Sequence, residues 1–508
     1  MSDKKYNLLL IKPKQTLNHY STQIQIARLM GKKTNSIPLA LPLIAALTPD
    51  NYNIRIVDED ISPIPKNLKP DIVGITMITS NSARGFEIGE MYKKMGVKVV
   101  MGGTFPSFHI EECRPFAHSI VVGEAEQNWA RVLNDFENNN LQPVYRTTGF
   151  ADYSTSPVPR WDLIDNRKIL SYNVQASRGC PFQCEFCLTT HLFGRKVRRR
   201  KVEDVIHEIR QLPMKNILFA DENFAIDKKY AKELCRALKP LNRNWMCQSS
   251  VDVADDEELL KEMSEAGCNY VIIGFESLKK DSLATSHKYQ NDPARYNEII
   301  ERLHKHGIHV YASFIVGFDD DTLEDLKVFE EFIDNSSLPV FTLSILGTTC
   351  GMEMYDRLEK EGRIVHNLSK KFFVGIYPVM RYKNFDNKTL FDHFIKTTKY
   401  LYSYERISAR TIRMLENGYF AVEKTTKSIS AGMKFRTSFL LLYTHLITRD
   451  KAKRRFFKQI FSLIRRKKLA VTEGASVLLM FEAITRHIRK DEVHRQEYYR
   501  ELEKLELN

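Results

Sequence analysis

A chain of 508 residues is too long for one ordinary core, and its length suggests about three domains. Eight cysteines without an N-terminal apolar leader exclude a secreted disulfide scaffold and point to a reducing cytoplasm; no window reaches the ~18 uninterrupted apolar residues of a membrane span, so a soluble or peripheral protein is expected. The net charge of +13 is uneven, because residues 401–508 hold 23 Lys and Arg against 12 Asp and Glu.

In residues 1–140 short apolar runs at 6–11, 54–58, 72–76 and 97–101 read as buried parallel strands, separated by helical stretches near 38–47 and 83–95. This alternation predicts a doubly wound parallel sheet, which binds ligands at the carboxyl ends of its strands. Those ends carry Thr76 to Ser80, then Gly102, Gly103 and Thr104, then Gly123 and Glu124. Glycines there allow a bulky ligand to approach the backbone, and the hydroxyls can bond its polar rim. His19, after the first strand, lacks an Asp two residues before it and reads as a loop histidine. Residues 141–168 lose periodicity and form a turn-rich connector through Ser154–Asp162.

A strand-like run, Leu170 to Ala176, then leads into Cys180, Cys184 and Cys187 at Cys-x-x-x-Cys-x-x-Cys spacing. A cubane iron–sulfur cluster normally takes four thiolates, so three leave one iron open to a small molecule. Gly179 and Pro181 shape a tight loop whose backbone N–H groups can face an anionic cluster. Zinc, with His191 as a fourth ligand, is the alternative for this loop.

Strands follow at 217–220, 244–250, 270–275, 310–316 and 340–346, with helices at 201–212, 228–238, 255–266, 294–306 and 322–333. With the strand before Cys180 they make six βα units, hence a partial (β/α)6 barrel over 169–350 with its active face at the strand carboxyl ends. Glu222, Ser250, Glu276, Ser277 and Gly317 stand there. A carboxylate in such a place is also a common helix cap or salt-bridge partner. The basic run Phe193–Lys201 is open between an anion contact and a solvated surface.

Residues 351–508 read as a mainly helical, basic extension. The apolar stretch 436–447 is too short to span a bilayer. In 451–468, Phe456, Phe457, Ile460, Leu463 and Ile464 recur at helical spacing among cations, which describes either a helix lying on an anionic membrane or a helical cap with a solvated basic face.

The three cysteines, followed in order by this set of strand-end residues, resemble the signature of radical S-adenosylmethionine (SAM) enzymes. The N-terminal sheet with its three strand-end segments, and the Pro159-Arg160-Trp161-Asp162 approach to the cysteines, resemble the class B (cobalamin-binding) subfamily. The tail, including Tyr402–Arg406, resembles hopanoid C-2 methylase-like proteins. The resemblance implies a [4Fe-4S] cluster on Cys180, Cys184 and Cys187, with SAM on its open iron. It further implies Glu222 on the SAM ammonium, Glu276 or Ser277 on the ribose, Phe186 and Gly317 near the adenine, and Ser250 as a further candidate. Cobalamin would meet Thr76, Ser80, Gly102, Gly103, Thr104, Gly123 and Glu124, with no protein imidazole on its lower face. The implied chemistry is reductive SAM cleavage to a 5′-deoxyadenosyl radical, hydrogen abstraction from an unactivated carbon and methyl transfer from cobalamin, on a lipid-like substrate of hopanoid or isoprenoid type. An electron donor of flavodoxin or ferredoxin type is implied as well. A class B cyclase or carbon–carbon coupling enzyme that transfers no methyl group is the alternative within enzymes, and a non-catalytic cobalamin- or cluster-dependent sensor the alternative outside them. RNA methylthiotransferases need a second cluster from N-terminal cysteines; only Cys113 precedes Cys180, which argues against a nucleic-acid substrate.

Overall fold

A computed structural model describes residues 5–15, 17, 21–417, 448–466, 474, 477–478, 481–482 and 492–505. Six parallel strands open the chain: β1 (Tyr6–Lys12), β2 (Tyr52–Asp58), β3 (Ile72–Thr76), β4 (Lys98–Gly102), β5 (Ser119–Val122) and β6 (Val144–Arg146). Their order is β2-β1-β3-β4-β5-β6. Both faces of β1 are buried, Leu8 and Leu10 in one core and Leu9 and Ile11 in the other, and this is why the strand reads as a continuous apolar run. Strand order reverses between β1 and β3, the place where doubly wound sheets hold ligands. There the loops are tied together: Gln15 Nε2 donates to Ser80 Oγ (2.8 Å) and Asn81 Nδ2 to the Pro13 carbonyl (3.2 Å). The three-residue β6 falls in the stretch read as a connector, because one short edge strand gives too little periodicity to detect.

A short antiparallel ribbon, β8 (Ser177–Arg178) with β9 (Arg198–Arg199), brackets the cysteine loop. Around it β7 (Tyr172–Val174), β10 (Asn216–Phe219), β11 (Asn244–Ser249), β12 (Cys268–Glu276), β13 (His309–Val316) and β14 (Phe341–Ile345) form a second six-stranded parallel sheet in sequential order. The expected helices lie between them, for example Lys228–Leu238 and Glu257–Glu265, capped by Asp227 and Asp256 accepting from the Tyr230 and Leu259 N–H groups. The edge strands β7 and β14 do not pair with each other, so the barrel is partial.

The first domain packs directly on this barrel. Residues 33–37 run beside β7: Thr34 bridges Ile169, and Asn173 Nδ2 donates to the Ile37 carbonyl (2.9 Å). One apolar core is continuous from Leu8 and Trp129 through Tyr172 and Val174 into the barrel.

Past β14 the described residues form the helices Glu353–Lys360, Asn387–Leu401, Tyr404–Glu416, Lys451–Arg465 and Glu492–Lys504. The apolar face that made Lys451–Arg465 a candidate membrane helix is turned inward. Phe456, Ile460 and Leu463 are buried against Tyr404, Ile407, Met414 and Phe481, and Lys453 pairs with Glu482 at 2.8 Å. Protein, rather than lipid, removes that face from water; Phe461 remains 60% exposed. His19, the stretch Arg436–Ile447 and the last two residues of the basic run, Lys467 and Lys468, lie outside the described residues. No helix among the described residues is long and apolar enough to cross a membrane.

Candidate active site

The cysteine loop leaves β8 at Gly179, whose φ of +95° is left-handed and whose absent Cβ would stand 2.5 Å from the Lys196 carbonyl oxygen. The Cys180 N–H donates to the Gly194 carbonyl (3.2 Å) and that of Cys187 to the Cys184 carbonyl (3.0 Å). Burial pushes the Cys180 thiol up to about 11, and the neighbouring Cys187 and Cys184 push the same way. Cys184 is also raised by burial, with Lys288 opposing. Three mutually interacting, shielded thiols suit a cluster that takes them as thiolates. No three His, Cys, Asp or Glu side chains among the described residues are gathered tightly enough for a single metal ion, so the zinc reading with His191 has no assembled ligand set. A cubane makes no such demand, since each thiolate binds a different iron.

Four parts of the chain fix this loop. From the end of β10, buried Asp221 accepts from the Ser177 N–H (2.6 Å), the Ser177 hydroxyl (2.7 Å) and the Ala176 N–H (3.0 Å). Glu222 accepts from the Gly179 N–H (3.1 Å) and from Gln175 Nε2 (3.3 Å). Burial, and then the Asp221 charge, lift the Glu222 carboxyl to about 7; burial holds Asp221 at about 6. From the first domain, Glu124 accepts from Arg198 Nη1 and Nη2 (2.8 and 2.7 Å), Arg178 Nη1 (3.3 Å) and the Ala151 N–H (2.6 Å). From the extension, Arg357 Nη2 donates to Glu185 Oε2 (3.2 Å) and Nη1 to Asp319 Oδ2 (3.2 Å). From the segment after helix Lys280–Thr285, the Ser286 carbonyl accepts the Glu185 N–H (3.1 Å), and Gln290 Nε2 approaches Cys184 Sγ at 3.9 Å.

The remaining expected SAM contacts are at the same mouth with different freedom. Phe186 and Phe318, which follows Gly317, meet edge to face at 6.1 Å. Gly317 (φ +98°) donates its N–H to Asp321 Oδ2 (2.8 Å), and a Cβ there would touch the Tyr382 ring at 3.0 Å. Glu276 is buried in the left-handed region (φ +64°) and its Oε1 pairs with Lys288 Nζ at 3.1 Å. Ser277 Oγ accepts the Lys279 N–H (3.1 Å), a local turn bond. Ser250 is held by neighbours: its Oγ accepts from Asn223 Nδ2 (2.8 Å) and donates to Asp252.

In the first domain Met77 N–H bonds the Gly102 carbonyl (2.9 Å), and Gly103 (φ +99°) lies so close to β3 that a Cβ would fall 2.8 Å from the Met77 carbonyl oxygen, with Thr104 starting the next helix. Gly123 (φ +81°) donates its N–H to Ser107 Oγ (3.0 Å). These strand-end residues flank β3, β4 and β5 side by side. Glu124 departs from the expected role: two arginines and a peptide N–H occupy its carboxylate, so it joins the two domains rather than facing a ligand. Asp221, Glu185, Arg357, Lys288 and Gln290 were not singled out from sequence. Asp221, next to Glu222, could have been, whereas nothing local in the chain marks the others.

A partial βα barrel with a three-cysteine loop at its mouth, preceded by a doubly wound sheet, is the arrangement that the resemblance to radical SAM proteins led one to expect. Residues 174–333 match the Radical SAM superfamily, and residues 353–497 match a domain of unknown function, DUF4070. The bacteriochlorophyllide d C-8(2)-methyltransferase of Chlorobaculum tepidum is 29% identical over 408 residues, covering 75% of this chain and 90% of the relative. The hopanoid C-2 methylase of Rhodopseudomonas palustris is 28% identical over 351 residues, 65% of this chain and 66% of that protein. Among solved structures, the cobalamin-dependent SAM radical enzyme OxsB with aqua-cobalamin bound aligns with a TM-score of 0.57 at 16% identity, over 97% of this chain and 81% of its own. Residues 174–333 thus carry a Radical SAM domain, and the longer chain is similar in sequence to named methyltransferases and in fold to a cobalamin-dependent SAM radical enzyme.

Proposed function

We propose that this enzyme methylates an unactivated carbon of a large, apolar, lipid-like molecule, using a [4Fe-4S] cluster, SAM and cobalamin. The observation that carries the reading is the similarity to named methyltransferases, which for the bacteriochlorophyllide enzyme spans three quarters of this chain. The site geometry is consistent with it, because Glu124 and Arg178 tie the carboxyl edge of the first sheet to the residue two before Cys180.

In this reading Cys180, Cys184 and Cys187 hold the cluster, and Thr76, Ser80, Gly102, Gly103, Thr104 and Gly123 border the corrinoid. When bound, these groups supply one-electron cleavage of SAM and a transferable methyl group. The protein's part is to orient and to keep water out. Glu222, a shielded carboxyl with only neutral donors on it, would accept from the SAM ammonium in its ionised form, its proton having passed to solvent. Gly317, whose missing Cβ makes room for the Tyr382 ring, would border the adenine through its backbone, and Phe186 with Phe318 would supply an apolar wall. Asp221 fixes Ser177 and hence the start of the loop, so that the thiolates need not reorganise when the cofactors bind.

The test is anaerobic purification with cobalamin supplied, followed by iron, sulfide and cobalt analysis and SAM turnover under a strong reductant. Mass spectrometry of lipids from a deletion strain then identifies the substrate. Loss of a methylated lipid supports the proposal. 5′-Deoxyadenosine accompanied only by a dehydrogenated or ring-closed product would replace it with a cyclase, and tight cofactor binding without SAM cleavage would replace it with a sensor.

A further inference from the structure

Glu185 stands inside the cysteine motif, directly after Cys184, and its side chain is only 9% exposed. The cation that meets it comes from the helix Glu353–Lys360, at the start of the segment that matches the domain of unknown function. Arg357 donates from Nε to Glu185 Oε1 (2.5 Å) and from Nη2 to Oε2 (3.2 Å), a two-pronged fork of the kind that fixes a carboxylate in direction as well as distance. The Met354 N–H, in the first turn of the same helix and without an acceptor inside it, donates to the Glu185 carbonyl (3.1 Å). One helix of the extension therefore holds both the side chain and the backbone of a residue that lies between two thiols.

The same arginine reaches a second point. Its Nη1 donates to Asp319 Oδ2 (3.2 Å), in the turn after β13 that carries Gly317 and Phe318. The extension grips that turn again through Arg363 Nη2 on Asp319 Oδ1 (2.6 Å), Lys383 Nζ on Oδ2 (3.2 Å) and Asn384 Nδ2 on the Asp319 carbonyl (3.0 Å). The turn in its own right meets the cysteine loop where Phe318 abuts Phe186. Arg357 thus spans loop and turn from outside, over a ring contact on the inside. Its two ends are unequal. Asp319 has three cations, whereas Arg357 is the one cation among the described residues that pairs with Glu185. Without Arg357, Asp319 stays paired and Glu185 becomes a shielded carboxylate with no counter-charge, a cost that the loop relieves by lifting into water.

Resting on the reading that the three cysteines carry an iron–sulfur cluster, we propose that the extension is a retention clamp for that cluster, with Arg357 as the positioning residue that shuts the cysteine loop against the turn after β13. The clamp acts by exclusion. Iron leaves only when its thiolates are replaced by other ligands, and those ligands enter only where the loop opens. Arg357 and Met354 hold down the part of the loop that joins Cys184 to Cys187.

The experiment follows the visible cluster absorbance of the full-length, anaerobically reconstituted protein after addition of excess EDTA. Wild type is compared with R357M, R357K, R363M, E185Q and R357M/E185Q, with starting iron and sulfide and a thermal melt recorded for each. R357M is expected to lose absorbance about 10-fold faster than wild type, the low end of what a lost outer-shell support costs a metal site. R357K keeps the charge without the fork and should fall between the two. R363M, which loosens only the Asp319 end, should match wild type. R357M/E185Q should lose its cluster more slowly than R357M, because no carboxylate is then stranded; a merely destabilised fold would not show that rescue. An R357M protein that keeps its cluster as long as wild type would overturn the proposal. So would equal rates in R357M and R363M, which would mark a general loosening of the extension, or a double variant no slower than R357M. Should R357M fail to fold, R357K against R363M decides by the same criterion. A wild-type protein that binds no cluster removes the underlying reading as well, whereas a loaded wild type with unresponsive variants removes this inference alone.

Discussion

Glu222 is the residue through which the site is most easily put to a quantitative test. Its carboxyl lies among neutral donors, shielded from water and beside Asp221, and is lifted from an ordinary 4.5 to about 7. A carboxyl whose folded-state value exceeds its unfolded value binds its proton more tightly when folded. Its contribution to stability is therefore complete below pH 4.5 and is lost as pH rises through about 7. At about 1.4 kcal/mol per pH unit, that interval makes the ionised group a burden of about 3 kcal/mol above pH 7. Glu222→Gln keeps an acceptor for the Gly179 N–H and removes the charge. In metal-free protein without SAM, scanning calorimetry at pH 8 should then show E222Q melting higher than wild type, by on the order of 5 °C. At pH 5 the two should coincide, because the wild-type carboxyl is already protonated. The same variant should bind SAM more weakly, and wild-type affinity for SAM should rise from pH 6 to pH 8 as the carboxylate forms. An E222Q protein that melts with wild type at pH 8, or is stabilised equally at both pH values, would refute the reasoning.

Other consequences follow from the loop's anchors and from the extension. Cys184→Ala should strip most iron from reconstituted protein, read as iron per chain and as loss of the visible cluster absorbance. Gly179→Ala must place a Cβ 2.5 Å from the Lys196 carbonyl oxygen at a left-handed φ, so iron content should fall while far-UV circular dichroism is unchanged; full iron loading would count against the loop geometry. Glu124→Ala leaves the Arg198 charge with only the Ala151 and Phe193 carbonyls and Arg178 with Glu126, with an expected loss of about 3–5 kcal/mol in urea unfolding and faster proteolysis between residues 147 and 170. Phe456→Ala should destabilise by about 3–5 kcal/mol, whereas Phe461→Ala, at a largely exposed position, should stay within about 0.5 kcal/mol. The reverse order would restore a lipid-facing orientation of that helix.

Much of the fold was legible in the chain because its strands are buried on both faces and its helices bury one stripe. Tyr6–Lys12 and Cys268–Glu276 announce themselves as apolar runs, and Lys228–Leu238 as an amphipathic one. The cysteine loop was legible for another reason: thiols that are to act together must be close in space, and here they are close in sequence. Val144–Arg146 was not, since three residues on a sheet edge carry no period.

What the sequence alone determined are the properties encoded locally, namely two alternating βα domains, a three-thiolate loop and the order of polar residues at strand ends. What only the tertiary structure decided is the partner of each polar group. It assigned Glu124 to arginines of the neighbouring domain, turned the apolar stripe of Lys451–Arg465 inward against Tyr404 and Phe481, and brought Gln290 to Cys184. The physical reason is that burial and charge pairing act between residues more than a hundred positions apart, so a carboxylate reads the same in sequence whether it awaits a ligand or already holds a guanidinium.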